Sequence, residues 1–242
     1  GSEKQKNNWL PKLAKGESVG CFGLTEANHG SNPSGMLTTA KKVDDGYILN
    51  GSKMWITNGT IADVAIVWAK CDDDKIRGFI VEKGMDGYSA PLMHRKWSLR
   101  ASITSELVFD NVFVPEENMI GTEENRGFYQ LMETYEAARL QTAARAVGVA
   151  QAAFDFSLQY SKEREQFGKP ISEHQAIRMK LSEMATELEA ARQLVYYAAS
   201  MKDSGKRCDL EAGMAKVKSA KAAEYVTREA MQILGGYGYS KE

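Results

Sequence analysis

Short apolar runs separated by turn residues fill the first half of the chain, from Val19 to about Pro115. Four runs, GYILNGSKMWITNG, ADVAIVWAK, IRGFIVEKG and SELVFDNVFVP, show strand-like alternation or are rich in β-branched and aromatic residues. Dipeptides typical of hairpin turns occur at Asp45-Gly46, Asn50-Gly51 and Asn58-Gly59. This pattern predicts an antiparallel β-sandwich or barrel.

The spacing of apolar residues then changes to that of helices. An alanine-rich segment, NRGFYQLMETYEAARLQTAARAVGVAQAAFDFSLQYSKEREQ, predicts one long helix. A second helix is expected over about 173–203, with Ser172 as its N-cap and Gln175 completing a capping box. A third begins with Asp209 as its cap and ends at the glycines of ILGGYG. The predicted fold class is α+β, a β-domain followed by an antiparallel helical bundle that lacks a fourth helix.

Composition excludes several functional classes. The 31 basic and 32 acidic residues nearly cancel, so we expect no nucleic-acid partner. The apolar runs are shorter than the roughly 18 residues of a membrane span, and the charged start GSEKQKNNWLPKLAKGE resembles neither a signal nor a transit peptide. Three widely spaced cysteines indicate a reducing compartment rather than disulfides. The three histidines show no metal-ligand spacing, which predicts that there is no metal site.

The segment GCFGLTEANHGSNPSG, from Gly20 to Gly35, is rich in glycine, asparagine and hydroxyl groups. Such a loop is compatible with a plain surface turn, a phosphate cradle or the floor of a cofactor site. Taken alone, the segment favours the surface turn, because this composition is usual for turns.

Five motifs occur in order along the chain: GLTEANHGS, WITN, VFDNVFVPEEN, REQFGKPI and QILGGYGYS. This ordered set resembles the acyl-CoA dehydrogenase family over the whole chain, and GCFGLTE, IRGFIVEKGM and SLRAS most resemble glutaryl-CoA dehydrogenases. The resemblance implies a flavoprotein with FAD between a β-domain and a helical bundle. Residues 1–18 would then end an N-terminal helical domain, 19–117 form the β-domain and 118–242 an incomplete bundle, so that the chain is truncated at both ends.

The resemblance assigns the first set of FAD contacts to the glycine-rich loop. Leu24 and Thr25 match positions that hydrogen-bond the pyrimidine edge of the flavin, and Phe22 lines the same pocket. Gly30 and Ser31 match the point where backbone and hydroxyl meet the pyrophosphate.

In WITN, the resemblance implies that Trp55 packs against the flavin ring and that Thr57 hydrogen-bonds the nitrogen that receives hydride. The alternative is a strand end with a buried tryptophan and a locally bonded hydroxyl. The loop departs from the family at Ala27, where proline is usual, and at Asn32, where aspartate is usual.

A second set of contacts reaches the FAD of a neighbouring subunit. The resemblance places Arg164 on a phosphate and Phe167 on the cofactor, with Gln175 a weaker candidate. The adenosine half is assigned to Gln232, Gly235 and Gly236. The plain alternatives are a solvated arginine and an ordinary glycine-terminated helix.

The resemblance also implies that Arg139 faces the CoA moiety and that Ser31 touches the acyl-pantetheine. The catalytic glutamate of the family lies at one of two places, and the minority place here is Ala138. Glu136 is about 200° away around the helix, and Glu26 has no reason to be the base. We therefore expect that no catalytic residue lies in this chain and that the 242 residues alone are inactive.

The implied function is FAD-dependent α,β-dehydrogenation of a short-chain acyl-CoA, with glutaryl-CoA as the named candidate and electron-transfer flavoprotein as the electron acceptor. The alternatives are an acyl-CoA oxidase, another short-chain dehydrogenase, or a non-catalytic scaffold with the same fold. The family also implies a homotetramer. The expected compartment is the bacterial cytoplasm, or the mitochondrial matrix in a eukaryote.

Overall fold

The computed structural model describes residues 1–121 and 127–240. It divides into two compact units, Gly1–Leu131 and Met132–Glu242. Asn125 and Arg126, with which the first predicted helix begins, lie outside the described residues.

The first unit consists of a helix and a curled mixed sheet. Helix α1 spans Glu3–Lys15, and the strands are β1 Gly20–Gly23, β2 Thr39–Val43, β3 Gly46–Thr57, β4 Val64–Cys71, β5 Ile76–Glu82, β6 Tyr88–Ser89 and β7 Thr104–Pro115. The strand order is β1-β4-β2-β3-β7-β6, with β5 paired to β4. The predicted β-domain is confirmed, and its pairing is mostly antiparallel. However, β1 and β2 both run parallel to β4.

Only one of the three turn dipeptides closes a hairpin. Asp45-Gly46 joins the antiparallel pair β2 and β3, as predicted. Asn50-Gly51 instead lies inside β3 at an irregularity of register, where Gly51 has a φ of 134°. Asn58 has a φ of 64° and begins the connection to β4, a strand that is not a neighbour of β3. Those two hairpin predictions were wrong because the same left-handed preference also serves bulges and loop starts.

The core of the first unit is built from large apolar side chains. Leu49, Val67, Phe79 and Leu107 are fully buried, and the Tyr47 ring meets Phe79 edge-on at 4.9 Å between centroids. Close packing of this kind makes the sheet a rigid platform for the loops at its edge.

Helix α1 is fixed to the end of the sheet by hydrogen bonds. A capping box joins Ser2 and Gln5, and Gln5 Nε2 also donates to the carbonyl groups of Glu117 and Met119, at 2.8 and 2.7 Å. These bonds tie the first turn of α1 to the segment that follows β7.

The second unit is helical. Helix α2 spans Gly127–Glu163 and begins in the first unit, followed by α3 Gln175–Asp203 and α4 Asp209–Leu234. A short hairpin of β8 Glu165–Gln166 and β9 Lys169–Pro170 separates α2 from α3. Small residues such as Ala143, Ala191 and Ala215 are fully buried, which lets the helices approach closely. Among the described residues, none of the helices is long and apolar enough to cross a membrane.

The two predicted helix caps were wrong in detail. Ser172 lies in a 3₁₀ turn, Ile171–Glu173, so the N-cap of α3 is His174 and no capping box forms. The N-cap of α4 is Cys208, because the Asp209 carboxylate accepts hydrogen bonds from Arg207 instead, at 2.7 and 3.0 Å. The predicted end of α4 is confirmed, since Gly235 follows Leu234 with a φ of 60°.

Candidate functional site

The glycine-rich loop leaves the sheet at β1 and returns at β2. Phe22 is partly exposed between the buried Cys21 and Gly23, as the alternation of a strand requires, and Leu24 is buried. The Thr25 carbonyl accepts a hydrogen bond from the Met54 N–H at 2.8 Å. The loop and β3 are therefore joined directly beside Trp55.

The loop is closed by one buried carboxylate. Glu26 accepts hydrogen bonds from Lys53 Nζ at 2.8 Å, Leu37 N–H at 2.6 Å, Thr38 N–H at 2.9 Å and Thr38 Oγ1 at 2.6 Å. Burial raises the pKa of this carboxyl, but the donors outweigh burial and bring the pKa to about 2. Glu26 is thus an ionised structural group with its oxygens already engaged, and it is unsuited to serve as a base.

Lys53 is the partner that the sequence analysis did not identify. Its side chain is fully buried, and burial lowers its pKa while the Glu26 carboxylate opposes that shift. The sequence feature that could have predicted this pair is a lysine inside a strand of mainly apolar residues, since a buried ammonium requires an acidic partner.

Trp55 combines exposure with backbone strain. It lies at a register shift between Lys53 and Ile56, has a φ of 66° and leaves 60% of its surface exposed. A left-handed conformation at a bulky residue costs about 1–3 kcal/mol and is retained mainly at functional positions. The predicted alternative of a buried tryptophan is wrong. The bulge presents the indole ring at the surface beside the loop.

A largely apolar cavity of about 460 Å³ lies between α1 and the sheet. Phe22 and Thr57 line it, together with side chains of α1 and of neighbouring strands, among them Trp9, Leu13 and Ile66. A wider cavity of about 640 Å³ is lined by Glu26, His29 and residues of β3 and β7. Gly30 and Ser31 are exposed and line neither of these two cavities.

In the second unit, three predicted residues share one cavity of about 420 Å³. Arg164, Gly235 and Gly236 line it, with Tyr160 and Tyr237 among the other side chains. A Cβ added at either glycine would meet nothing within 4 Å, so the space beside this helix end is open. A guanidinium next to an open backbone suits a phosphate or a planar ring.

Phe167, Gln175 and Gln232, the further predicted FAD contacts of this unit, do not line that cavity. Phe167 sits at the tip of the β8–β9 hairpin with a φ of 56° and is 93% exposed, and the His174 ring meets it edge-on at 5.9 Å. Gln175 and Gln232 are exposed.

Near the expected CoA contact Arg139, the Glu136 carboxylate of the same helix is already engaged. The Arg139 guanidinium lies 5.9 Å from the centre of the Tyr135 ring, a cation–π arrangement. Glu136 is buried, accepts hydrogen bonds from Lys202 Nζ at 2.5 Å and from the Cys208 N–H at 3.3 Å, and has its pKa lowered chiefly by Lys202. Position 138 is alanine. Within the described ranges, no group of three or more histidine, cysteine, aspartate or glutamate side chains could hold a metal ion.

Comparisons with known proteins agree with this arrangement. Two family models match: "Acyl-CoA dehydrogenase, middle domain" over residues 21–112 and "Acyl-CoA dehydrogenase, C-terminal domain" over residues 125–242. The chain is 47% identical to the short-chain specific acyl-CoA dehydrogenase of Megasphaera elsdenii, over all of this chain and 64% of that protein.

Solved structures show the same fold. A glutaryl-CoA dehydrogenase of Mycobacterium smegmatis in complex with FADH2 matches with a TM-score of 0.93 and 42% identity, over 100% of this chain and 62% of that one. A chain of a structure described as the electron transferring flavoprotein of Acidaminococcus fermentans matches with a TM-score of 0.94 and 46% identity, over 99% and 64%. The chain thus spans less than two thirds of the length of these relatives.

Proposed function

This chain belongs to the acyl-CoA dehydrogenase family, and from that premise we propose that its protein is an FAD-dependent dehydrogenase that forms an α,β double bond in a short-chain acyl-CoA. The observation that carries the proposal is Trp55, an exposed aromatic ring held in a strained conformation beside the loop of Thr25. An exposed, strained indole is costly without a partner, and the planar flavin is a partner of matching shape.

The first unit would hold the flavin end of FAD. When bound, FAD supplies the hydride acceptor that no amino-acid side chain provides. In the proposal, Trp55 packs against the flavin ring and Thr57 hydrogen-bonds its edge, while Thr25 and the backbone of Leu24 hold the pyrimidine side. Phe22 would line that pocket, and Gly30 and Ser31 would meet the pyrophosphate.

The second unit would contact FAD bound by a neighbouring subunit. The shared cavity of Arg164, Gly235 and Gly236 supports this part, because it combines a cation with open backbone at a helix end. Phe167, Gln175 and Gln232 are the further proposed contacts. Such an arrangement requires at least a dimer, and the proposed assembly is a dimer of dimers.

The α-proton would be removed by a residue outside this chain. Ala138 offers no carboxylate, and the Glu136 oxygens are engaged by Lys202 and Cys208. Arg139 and Ser31 are the proposed contacts to the acyl-CoA. A general base must lie within hydrogen-bond reach of its proton, and neither residue is a base at neutral pH.

The proposed substrates are short acyl chains, with butyryl-CoA and glutaryl-CoA as the two to compare, and the proposed electron acceptor is electron-transfer flavoprotein. The similarity to a butyryl-CoA dehydrogenase structure from Megasphaera elsdenii supports the first choice, and the similarity to the Mycobacterium structure supports the second. The similarity to the Acidaminococcus structure supports the choice of electron-transfer flavoprotein as the acceptor. The proposed compartment is the bacterial cytoplasm or the mitochondrial matrix.

The test uses the full-length protein. We expect it to purify with a flavin band at about 450 nm, which acyl-CoA bleaches without oxygen and which an external acceptor restores. Trp55→Ala should lower FAD affinity at least tenfold, whereas Trp97→Ala, at a fully exposed tryptophan outside the predicted site, should not change it. Protein without flavin would instead indicate a scaffold, and rapid reoxidation by dioxygen would indicate an oxidase.

A further inference from the structure

The Glu26–Lys53 ion pair is the one place where the first unit buries two opposite charges against each other among the described residues. The Lys53 side chain is fully buried and Glu26 is 6% exposed. The other ion pairs described in this unit have at least one clearly exposed partner. A surface pair contributes little, whereas a buried pair must be matched by good geometry to be tolerated at all.

The pair joins the two segments that carry the proposed flavin contacts. Glu26 directly follows Thr25, and Lys53 lies two residues before Trp55. A second bond connects the same segments, since the Met54 N–H donates to the Thr25 carbonyl at 2.8 Å. Two adjacent bonds, one ionic and one between backbones, therefore fix how Thr25 lies relative to Trp55.

The same carboxylate also fixes the far end of the loop. The N–H groups of Leu37 and Thr38 donate to Glu26, and these residues directly precede β2. All four hydrogen bonds of the Glu26 carboxylate are accepted from donor groups. A glutamine at this position would therefore direct its own NH₂ group at one of these donors. Only an ionised carboxylate satisfies all of these groups at once.

Stability alone does not explain a buried pair here. An apolar pair of similar size is often equally stable or more stable, because it avoids the desolvation of two charges. What the ion pair adds is a fixed direction and distance between loop and strand. Binding sites depend on side chains being held in place by such supporting bonds.

We infer that Glu26 and Lys53 are positioning residues which hold Thr25 and Trp55 at the spacing that the flavin requires. This inference rests on the proposed function, since it names a determinant of FAD binding at that site. Neither residue is assigned contact with the cofactor. Both act through their neighbours in the chain.

The test compares three variants of the full-length protein: Glu26→Gln, Lys53→Met and the double variant Glu26→Gln/Lys53→Met. We expect each single variant to raise the FAD dissociation constant at least tenfold. The double variant keeps the shape of the pair and removes both charges. It should therefore recover much of the thermal stability of the FAD-free protein, yet bind FAD at least tenfold more weakly, with a shifted flavin absorption band.

Asp73→Asn is the matched control. Asp73, in the turn between β4 and β5, forms a bidentate ion pair with Arg77 of β5, and none of its described hydrogen bonds or ion pairs is to a proposed cofactor residue. It should lower stability without changing FAD affinity or the flavin spectrum. Wild-type affinity and an unchanged flavin band in the folded double variant would overturn the inference and leave the proposed function intact. Failure of the unaltered protein to bind FAD would overturn both.

Discussion

Two aromatic residues with a left-handed backbone are also predicted cofactor contacts, although Arg95 and Leu99 share that conformation without being predicted contacts. Asparagine and aspartate adopt left-handed conformations readily, so Asn58, Asp74 and Asn111 need no special explanation. Trp55 and Phe167 are different, because aromatic residues rarely do so and both rings are exposed. Both positions are predicted from the family resemblance as ring contacts. Strain of this kind persists where the surroundings impose it, and here it directs two aromatic rings into solvent.

Phe167→Asn should stabilise the second unit. Phe167 and Gly168 have φ values of 56° and 77°, which is the type I′ pattern that asparagine-glycine satisfies with the least strain. We expect a gain of about 1 kcal/mol in the free energy of unfolding, measured by urea denaturation of the FAD-free protein. Tyr239→Asn is the control, since Tyr239 is 92% exposed with an ordinary φ of −102°. A lower stability of the Phe167 variant would contradict the assignment of strain.

Glu26 should make the first unit sensitive to acid. Its pKa falls from an ordinary 4.5 to about 2 in the folded state, so its stabilising contribution is complete above about pH 4.5 and is lost as the pH falls towards 2. The shift corresponds to about 3 kcal/mol. Urea unfolding should show that the free energy of unfolding falls between pH 6 and pH 3 in the unaltered protein, and that this fall is absent from Glu26→Gln. Glu117→Gln, at an exposed glutamate, should behave like the unaltered protein. If Glu26→Gln lost the same free energy of unfolding on acidification, the acid sensitivity would belong to other groups.

At the scale of elements, strand β3 shows how bulges redirect side chains. Residues two apart in a regular strand face the same side, yet Lys53 is buried and Trp55 is exposed. The register shifts between Lys53 and Ile56, and an earlier shift lies between Leu49 and Gly51. The two irregularities make it possible for one strand to supply both the buried cation and the exposed ring.

In the second unit, one carboxylate joins three helices. Glu136 of α2 accepts hydrogen bonds from Lys202 of α3 and from the backbone of Cys208 at the start of α4. Lys202 is partly exposed, so the pair is weaker than a fully buried one. We expect Glu136→Ala to lower the free energy of unfolding by about 1–2 kcal/mol. Glu133→Ala, at an exposed glutamate on the same helix, is the control and should change it by less than about 0.5 kcal/mol.

For the molecule as a whole, the two compact units have differently built cores. The first unit packs large residues such as Phe79 and Leu107, whereas the second relies on alanines such as Ala191 and Ala215. The contacts divide the chain at Leu131 and Met132, within α2. The domain organisation implied by the resemblance, with its boundary at 117/118, stays a proposal.

The 242-residue chain alone should not dehydrogenate acyl-CoA. The family resemblance implies that the one position for the base within this sequence is Ala138, and Glu136 is engaged in the ion pair with Lys202. An assay with butyryl-CoA and an artificial electron acceptor should show turnover for the full-length protein and none for this chain. Turnover by the chain at a comparable rate would show that its base lies among these residues.

The sequence predicts local structure well because helices and strands follow from the spacing of apolar residues and from the local residue composition. The strands of the four predicted runs, the three long helices, the Asp45-Gly46 hairpin and the glycine end of α4 are confirmed, whereas β1 lies in a segment that was predicted as a loop. Non-local features are different: the parallel pairing of β1 and β2 with β4 joins segments that no short window relates. The Glu26–Lys53 pair was not predicted because its two residues are far apart in the sequence. In addition, the bulges of β3 interrupt the alternation of buried and exposed residues that would have marked Lys53 as buried.

The four donors that converge on Glu26 are arranged as they would be around a bound anion. The Glu26 carboxylate therefore occupies, within the loop itself, the position that a bound phosphate would take. The Leu37 and Thr38 N–H groups are consequently occupied before any ligand arrives. The groups of the loop that remain for a phosphate are therefore the others, and the proposal names Gly30 and Ser31 among them. Because residues 24–38 contain no lysine or arginine, the proposal takes the positive charge that would face the phosphates from outside the loop.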